Sequence, residues 1–214
     1  MPVTPTRFFS LPMVLTWARI VMIPFLVAIF YFPDSLLLPH TRNFVACVLF
    51  TLAAITDGFD GYFARKYGLT SRLGAFLDPV ADKLMVCAAL IVLLELRRVD
   101  ALVALVIIGR EITVSALREW MAQIGASQNV AVNSVGKFKT IFQMVAIPVL
   151  LFNDPLFGLI EVRPLGTALI YLAAALTIYS MLVYLRLAWP HLAPAAPAPA
   201  EPARSSAEEG GAQR

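Results

Sequence analysis

Seven residues of this 214-residue chain are spaced as a set: Asp57-x-x-Asp60-Gly61-x-x-x-Arg65, then Gly74-x-x-x-Asp78-x-x-x-Asp82. Residues three and four apart share a helix face. Asp57, Asp60, Gly61 and Ala64 therefore form one stripe, and Gly74, Asp78 and Asp82 form a second. Each aspartate at membrane depth costs about 2.5–3.5 kcal/mol on insertion scales, so four together imply a cationic occupant. Oxygen donors without histidine or thiolate favour Mg²⁺, Mn²⁺ or Ca²⁺ over zinc or copper. Two such ions about 3.5–4 Å apart clamp a phosphate during displacement at phosphorus. Gly61 and Gly74 leave the same faces open for a bulky polar group such as a nucleotide, and Arg65 offers a fork to a phosphate. The plainer account is an internal ion-pair network with Arg65 and Lys83, but that account explains neither the glycines nor the repeated acid pair.

The elements that must carry these stripes are membrane helices. Hydrophobic residues make up 59% of the chain and charged residues 14%, against about 25% charged in a soluble domain. Mean hydropathy is +0.77. Six apolar runs approach the length of about 20 residues that spans a bilayer: 14–32, 43–66, 75–96, 101–123, 134–152 and 165–188. Pro39 falls in a break before the second run, and Pro79 is read into the first turn of the third, where its missing N–H is tolerated. The linker 66–73 is short enough to make spans two and three antiparallel neighbours with facing stripes. Arg7, Arg65, Lys66, Arg72, Arg118, Lys137, Lys139 and Arg186 gather on one side, and Arg42, Arg97, Arg98 and Arg163 on the other. The positive-inside rule then puts both termini and the aspartates on the cytoplasmic side.

Several features exclude other classes. The net charge of +3 suits anionic lipid or phosphate, and without an aromatic-rich basic patch it does not suggest nucleic acid. Cys47 and Cys87 sit in apolar runs and read as core residues. The first run contains Arg19 and lacks a cleavage site, so it reads as a retained span. The catalytic unit is expected over 1–189. Positions 190–214 have Pro/Ala-rich and then polar composition and are expected to form a disordered tail.

The complete pattern Asp57-x-x-Asp60-Gly61-x-x-Ala64-Arg65, eight residues, Gly74-x-x-x-Asp78-x-x-x-Asp82 resembles the signature of the CDP-alcohol phosphatidyltransferase family without a departure. The resemblance implies an all-α, six-helix integral membrane fold, a homodimer, and a site holding two ions, Mg²⁺ or Mn²⁺. By that resemblance Asp57, Asp60, Asp78 and Asp82 are the metal ligands, and Asp82 is also the general base. Asp60, Gly61, Ala64, Arg65 and Gly74 match positions that line the CDP site.

The acceptor must be read elsewhere. Arg110 and Arg118, eight apart in span four, lie close to one helix face, and Lys137 and Lys139 open span five. Intramembrane cations are functional candidates, and several together suit an anionic acceptor phosphate. Pairing with Glu111 and Glu119 is the alternative. Arg19 either reaches the same cavity or snorkels to headgroups. The segments around these residues resemble family members that use CDP-diacylglycerol and glycerol 3-phosphate. Phosphatidylglycerol, inositol phosphate or serine as acceptor are the near alternatives. A cation transporter is the distant one, disfavoured because the acids cluster near one interface.

Overall fold

The computed structural model describes residues 11–67, 72–125, 134–155 and 158–192, with side chains throughout except at 11, 12, 59–67, 72, 75, 134–137 and 190–192. These form six α-helices: α1 (Leu11–Ala28), continued by a 3-10 turn Ile29–Tyr31, α2 (Pro39–Tyr67), α3 (Arg72–Glu95), α4 (Ala101–Gln123), α5 (Ser134–Phe152) and α6 (Arg163–Leu192). Two stretches, Met13–Tyr31 and Arg163–Trp189, are long and apolar enough to cross a bilayer on hydropathy alone. Leu102, Leu105, Ile112 and Phe25 are all exposed on the helix surfaces, as residues facing hydrocarbon would be.

α4 and α5 have the bounds read from the sequence, whereas α2, α3 and α6 begin earlier. Pro39 opens α2 instead of breaking the chain before it, because the first helical position needs no N–H. α3 begins at Arg72, so Pro79 is an interior residue and not a first-turn one. There it removes one helical hydrogen bond. α6 continues past Pro190 to Leu192; residues 193–214, which carry most of the expected tail, lie outside the described residues.

The core is Leu90 and Leu93 of α3, Ile107 of α4, Ile147, Leu150 and Leu151 of α5, and Ile170 of α6, all fully buried. α1 packs along both α2 and α3, and the most extensive contact is α5 on α6. That contact depends on Gly166, where an added Cβ would lie 2.8 Å from Leu150 Cγ and 3.0 Å from Val149 Cγ1. Overpacking costs about 1–3 kcal/mol, and valine adds more than one carbon. Gly166→Val is therefore expected to lower the melting midpoint in detergent; an unchanged midpoint would contradict the close α5–α6 contact.

At the end of the bundle remote from the aspartates, arginines tie the loops together. Arg98 Nη1 donates to the carbonyls of Leu150 (3.1 Å) and Leu151 (2.8 Å), and its Nη2 donates to Asn43 Oδ1 at 2.7 Å. Terminal carbonyls of a helix lack intrahelical partners, so this one side chain closes α5 and links it to α2. Arg163 Nη2 donates to the Arg97 carbonyl at 3.1 Å. Arg42 pairs with Asp34 and donates to the Phe32 carbonyl at 3.1 Å. The remote end is thus clamped, while the aspartate end carries the cavity.

Candidate active site

The acidic half of the site is built by α1 as much as by α2 and α3. Asp57 is the nineteenth residue of α2, about 27 Å along the helix at 1.5 Å per residue. Arg19, on α1 and 1% exposed, places Nη1 2.5 Å from Asp82 Oδ1 and 3.3 Å from Asp57 Oδ1. One buried guanidinium therefore bridges the two acid stripes. Thr16, one turn before Arg19 and also buried, donates its hydroxyl to Asp78 Oδ1. The Arg19 alternatives resolve: the side chain turns inward to the carboxylates and does not snorkel to headgroups. Asp57 and Asp82 are thereby gathered around one guanidinium nitrogen.

The cationic half comes from α4, α5 and α6. Arg110 is 8% exposed and Lys139 2%. Both contact Glu111: Lys139 pairs with it, and Arg110 Nη1 lies 3.2 Å from Oε1. The pairing alternative from the sequence is thus realised for these two, within a cluster that keeps a net positive charge. Arg110 Nε has no hydrogen-bond partner within the described residues, and neither does the buried Gln143 Oε1. Arg118 reaches across to α6, donating to the Tyr184 hydroxyl at 2.8 Å.

The two halves face one cavity of about 870 Å³, to which all six helices contribute. Arg19, Asp57 and Asp82 line it together with Arg110, Arg118, Lys139, Gln143 and Tyr184, and Phe50, Met85 and Met144 supply apolar wall. Its size lies within the range of about 300–1,000 Å³ usual for ligand sites. Gly58 also lines the cavity, and a Cβ there would meet nothing within 4 Å. Gly74 is buried in α3. The side chains of Asp60, Gly61, Ala64, Arg65 and Lys137 lie outside the described residues.

The donor set suits a divalent cation. Its atoms are carboxylate oxygens on two helices, and a buried protein cation is already drawn between them. Among the described residues, no three acidic, thiol or imidazole side chains converge on one point; the Asp60 side chain is not among them. Thr16, Gln143 and Tyr184 were not singled out from the sequence. The one available signal for Thr16 and Tyr184 was a polar group on the face of an otherwise apolar helix.

This arrangement can neutralise a diphosphate at one end and hold a second anion at the other. Comparison with known proteins points the same way. A CDP-alcohol phosphatidyltransferase family model matches residues 9–179. Proteins named CDP-diacylglycerol--glycerol-3-phosphate 3-phosphatidyltransferase from Escherichia coli (strain K12), Salmonella choleraesuis (strain SC-B67) and Shigella flexneri are each 44% identical to it over 182 residues. Those alignments cover 84% of this chain and 95% of each relative. With Asp57 and Asp82 of its signature facing a buried cation cluster across one cavity, the chain belongs to the CDP-alcohol phosphatidyltransferase family.

Proposed function

We propose that this protein transfers the phosphatidyl group of CDP-diacylglycerol to sn-glycerol 3-phosphate, giving phosphatidylglycerophosphate and CMP. The observation that carries this reading is one cavity with Asp57 and Asp82 on one wall and Arg110, Arg118 and Lys139 on another. The names of the relatives at 44% identity support it independently.

Asp57, Asp60, Asp78 and Asp82 would hold two divalent ions, Mg²⁺ or Mn²⁺, whose chemistry is to neutralise the diphosphate and stabilise the oxygens of the displacement. Asp60, Gly61, Ala64, Arg65 and Gly74 bind the CDP moiety. Arg110, Arg118, Lys137 and Lys139 hold the acceptor phosphate, leaving the far primary hydroxyl directed at the lipid-bearing phosphorus. Asp82 accepts the hydroxyl proton as the new P–O bond forms and the bond to CMP breaks. Arg19 and Thr16 position the acids: the former fixes Asp82 Oδ1 against Asp57, the latter holds Asp78. Catalysis is then mostly positioning and charge neutralisation. The protein acts as a homodimer in the bacterial inner membrane, with site and termini cytoplasmic, where a soluble phosphorylated acceptor is available.

The test is CMP release by the purified protein supplied with CDP-diacylglycerol, Mg²⁺ or Mn²⁺, and separate acceptors. Glycerol 3-phosphate is expected to support turnover, and serine, inositol phosphate and phosphatidylglycerol are not. CMP formed with inositol phosphate alone would replace the acceptor assignment. No CMP with any acceptor would turn the reading towards a scaffold or a cation pathway.

A further inference from the structure

We infer that Tyr184 of α6 is a positioning residue for the acceptor-phosphate site, holding the guanidiniums of Arg110 and Arg118 on one side of the cavity. This rests on the proposed role of those arginines. α6 is an apolar helix of 30 residues, yet Thr177, Ser180 and Tyr184 are all buried in it, at 0%, 1% and 2% exposure. Their spacing of three and then four puts them on one face, and that face meets α4. A buried polar stripe on an apolar helix is costly unless it has partners. Ser180 and Tyr184 find theirs among the cations of α4, whereas Thr177 Oγ1 has none within the described residues.

The Tyr184 hydroxyl accepts a hydrogen bond from Arg118 Nη2 at 2.8 Å. Its ring centroid lies 5.3 Å from Arg118 Cζ and 5.9 Å from Arg110 Cζ. One turn earlier, Ser180 Oγ lies 3.5 Å from Arg110 Nη2. The ring is itself held by Val114, Met121 and Ala188, so it is a fixed reference on which both cations rest. Two guanidiniums sharing one anion site repel each other, and the negative face of an aromatic ring offsets part of that repulsion. Arg118 is an exposed residue of α4, and an untethered arginine there has many rotamers. Tethered to Tyr184, it points into the cavity before any anion arrives. Tyr184 therefore acts through the arginines, and it touches neither the reacting phosphorus nor the attacking hydroxyl.

Tyr184→Phe keeps the ring and deletes the bond to Arg118; Tyr184→Leu deletes both. In CMP-release kinetics, Tyr184→Phe is expected to raise KM for glycerol 3-phosphate about ten-fold, as for loss of one charge-assisted hydrogen bond. The values of kcat and of KM for CDP-diacylglycerol should stay within about two-fold, because neither depends on the anion site. Tyr184→Leu should lower kcat/KM for the acceptor roughly a hundred-fold. Titration of the purified full-length protein with inorganic phosphate gives a readout that needs no turnover, and Tyr184→Phe should weaken that binding by the same factor. Unchanged phosphate binding in Tyr184→Phe overturns the inference, as does a wild-type protein that binds no phosphate. An equal rise in both KM values, with a lowered melting midpoint, also overturns it by showing a purely structural role. Phosphate binding that responds to Tyr184→Phe, without CMP release by the wild type, would instead sink the proposed reaction and leave the anion site standing.

Discussion

Asp82→Asn is expected to reduce CMP release by about 10³-fold or more while leaving the fold intact. Removing a general base alone costs typically about 10²–10⁴-fold, and Asp82 also carries half of the carboxylate contact bridged by Arg19. Asparagine keeps the shape and one acceptor oxygen, so Arg19 Nη1, now 2.5 Å from Oδ1, retains a partner. Arg19 also keeps Asp57 at 3.3 Å, so no buried cation is stranded. The melting midpoint in detergent should therefore move little, which separates chemistry from stability. Asp82→Glu retains the charge but moves it by a methylene, and a near-attack geometry tolerates little displacement; turnover should again fall steeply. A folded Asp82→Asn protein with near-native turnover would remove Asp82 from the role of base.

What the sequence made legible was local. Helical spacing placed Asp57 with Asp60 and Asp78 with Asp82, and hydropathy bounded α4 and α5. Proline was the least reliable punctuation: Pro39 starts a helix and Pro79 sits inside one. Periodicity tells which face a residue occupies but not which helix meets that face. The contacts Thr16 to Asp78, Arg19 to Asp82 and Arg118 to Tyr184 each span 62 to 66 positions, and nothing in local pattern joins them. Spans two and three were expected to present their stripes directly to each other. Asp57 and Asp82 do come together, and the structure adds what local pattern did not show: α1 packs against both helices, with Arg19 bridging the two acids. Arg98 shows the same limit: its charge was read as a marker of topology, whereas its guanidinium closes the end of α5.

Lys139 decides whether the cation cluster is a binding site or only an internal salt bridge. Lys139→Met is expected to raise KM for glycerol 3-phosphate about a hundred-fold, since a buried charge meeting a charged ligand contributes several kcal/mol. It should also destabilise the protein, because Glu111 would lose its closest cation and a broken buried pair costs about 3–5 kcal/mol. Arg110 Nη1 at 3.2 Å from Glu111 moderates that cost. Both readings of Lys139 therefore predict a damaged single variant, and the single variant cannot separate them. The pair Lys139→Met/Glu111→Gln can. It removes both charges, so the melting midpoint should return most of the way to wild type whichever reading holds. If Lys139 serves only to neutralise Glu111, acceptor KM should return as well. If Lys139 holds the acceptor phosphate, KM should stay raised while KM for CDP-diacylglycerol remains near its native value. Recovery of acceptor affinity in the stable double variant would leave Arg110 and Arg118 as the anion site and Lys139 outside it.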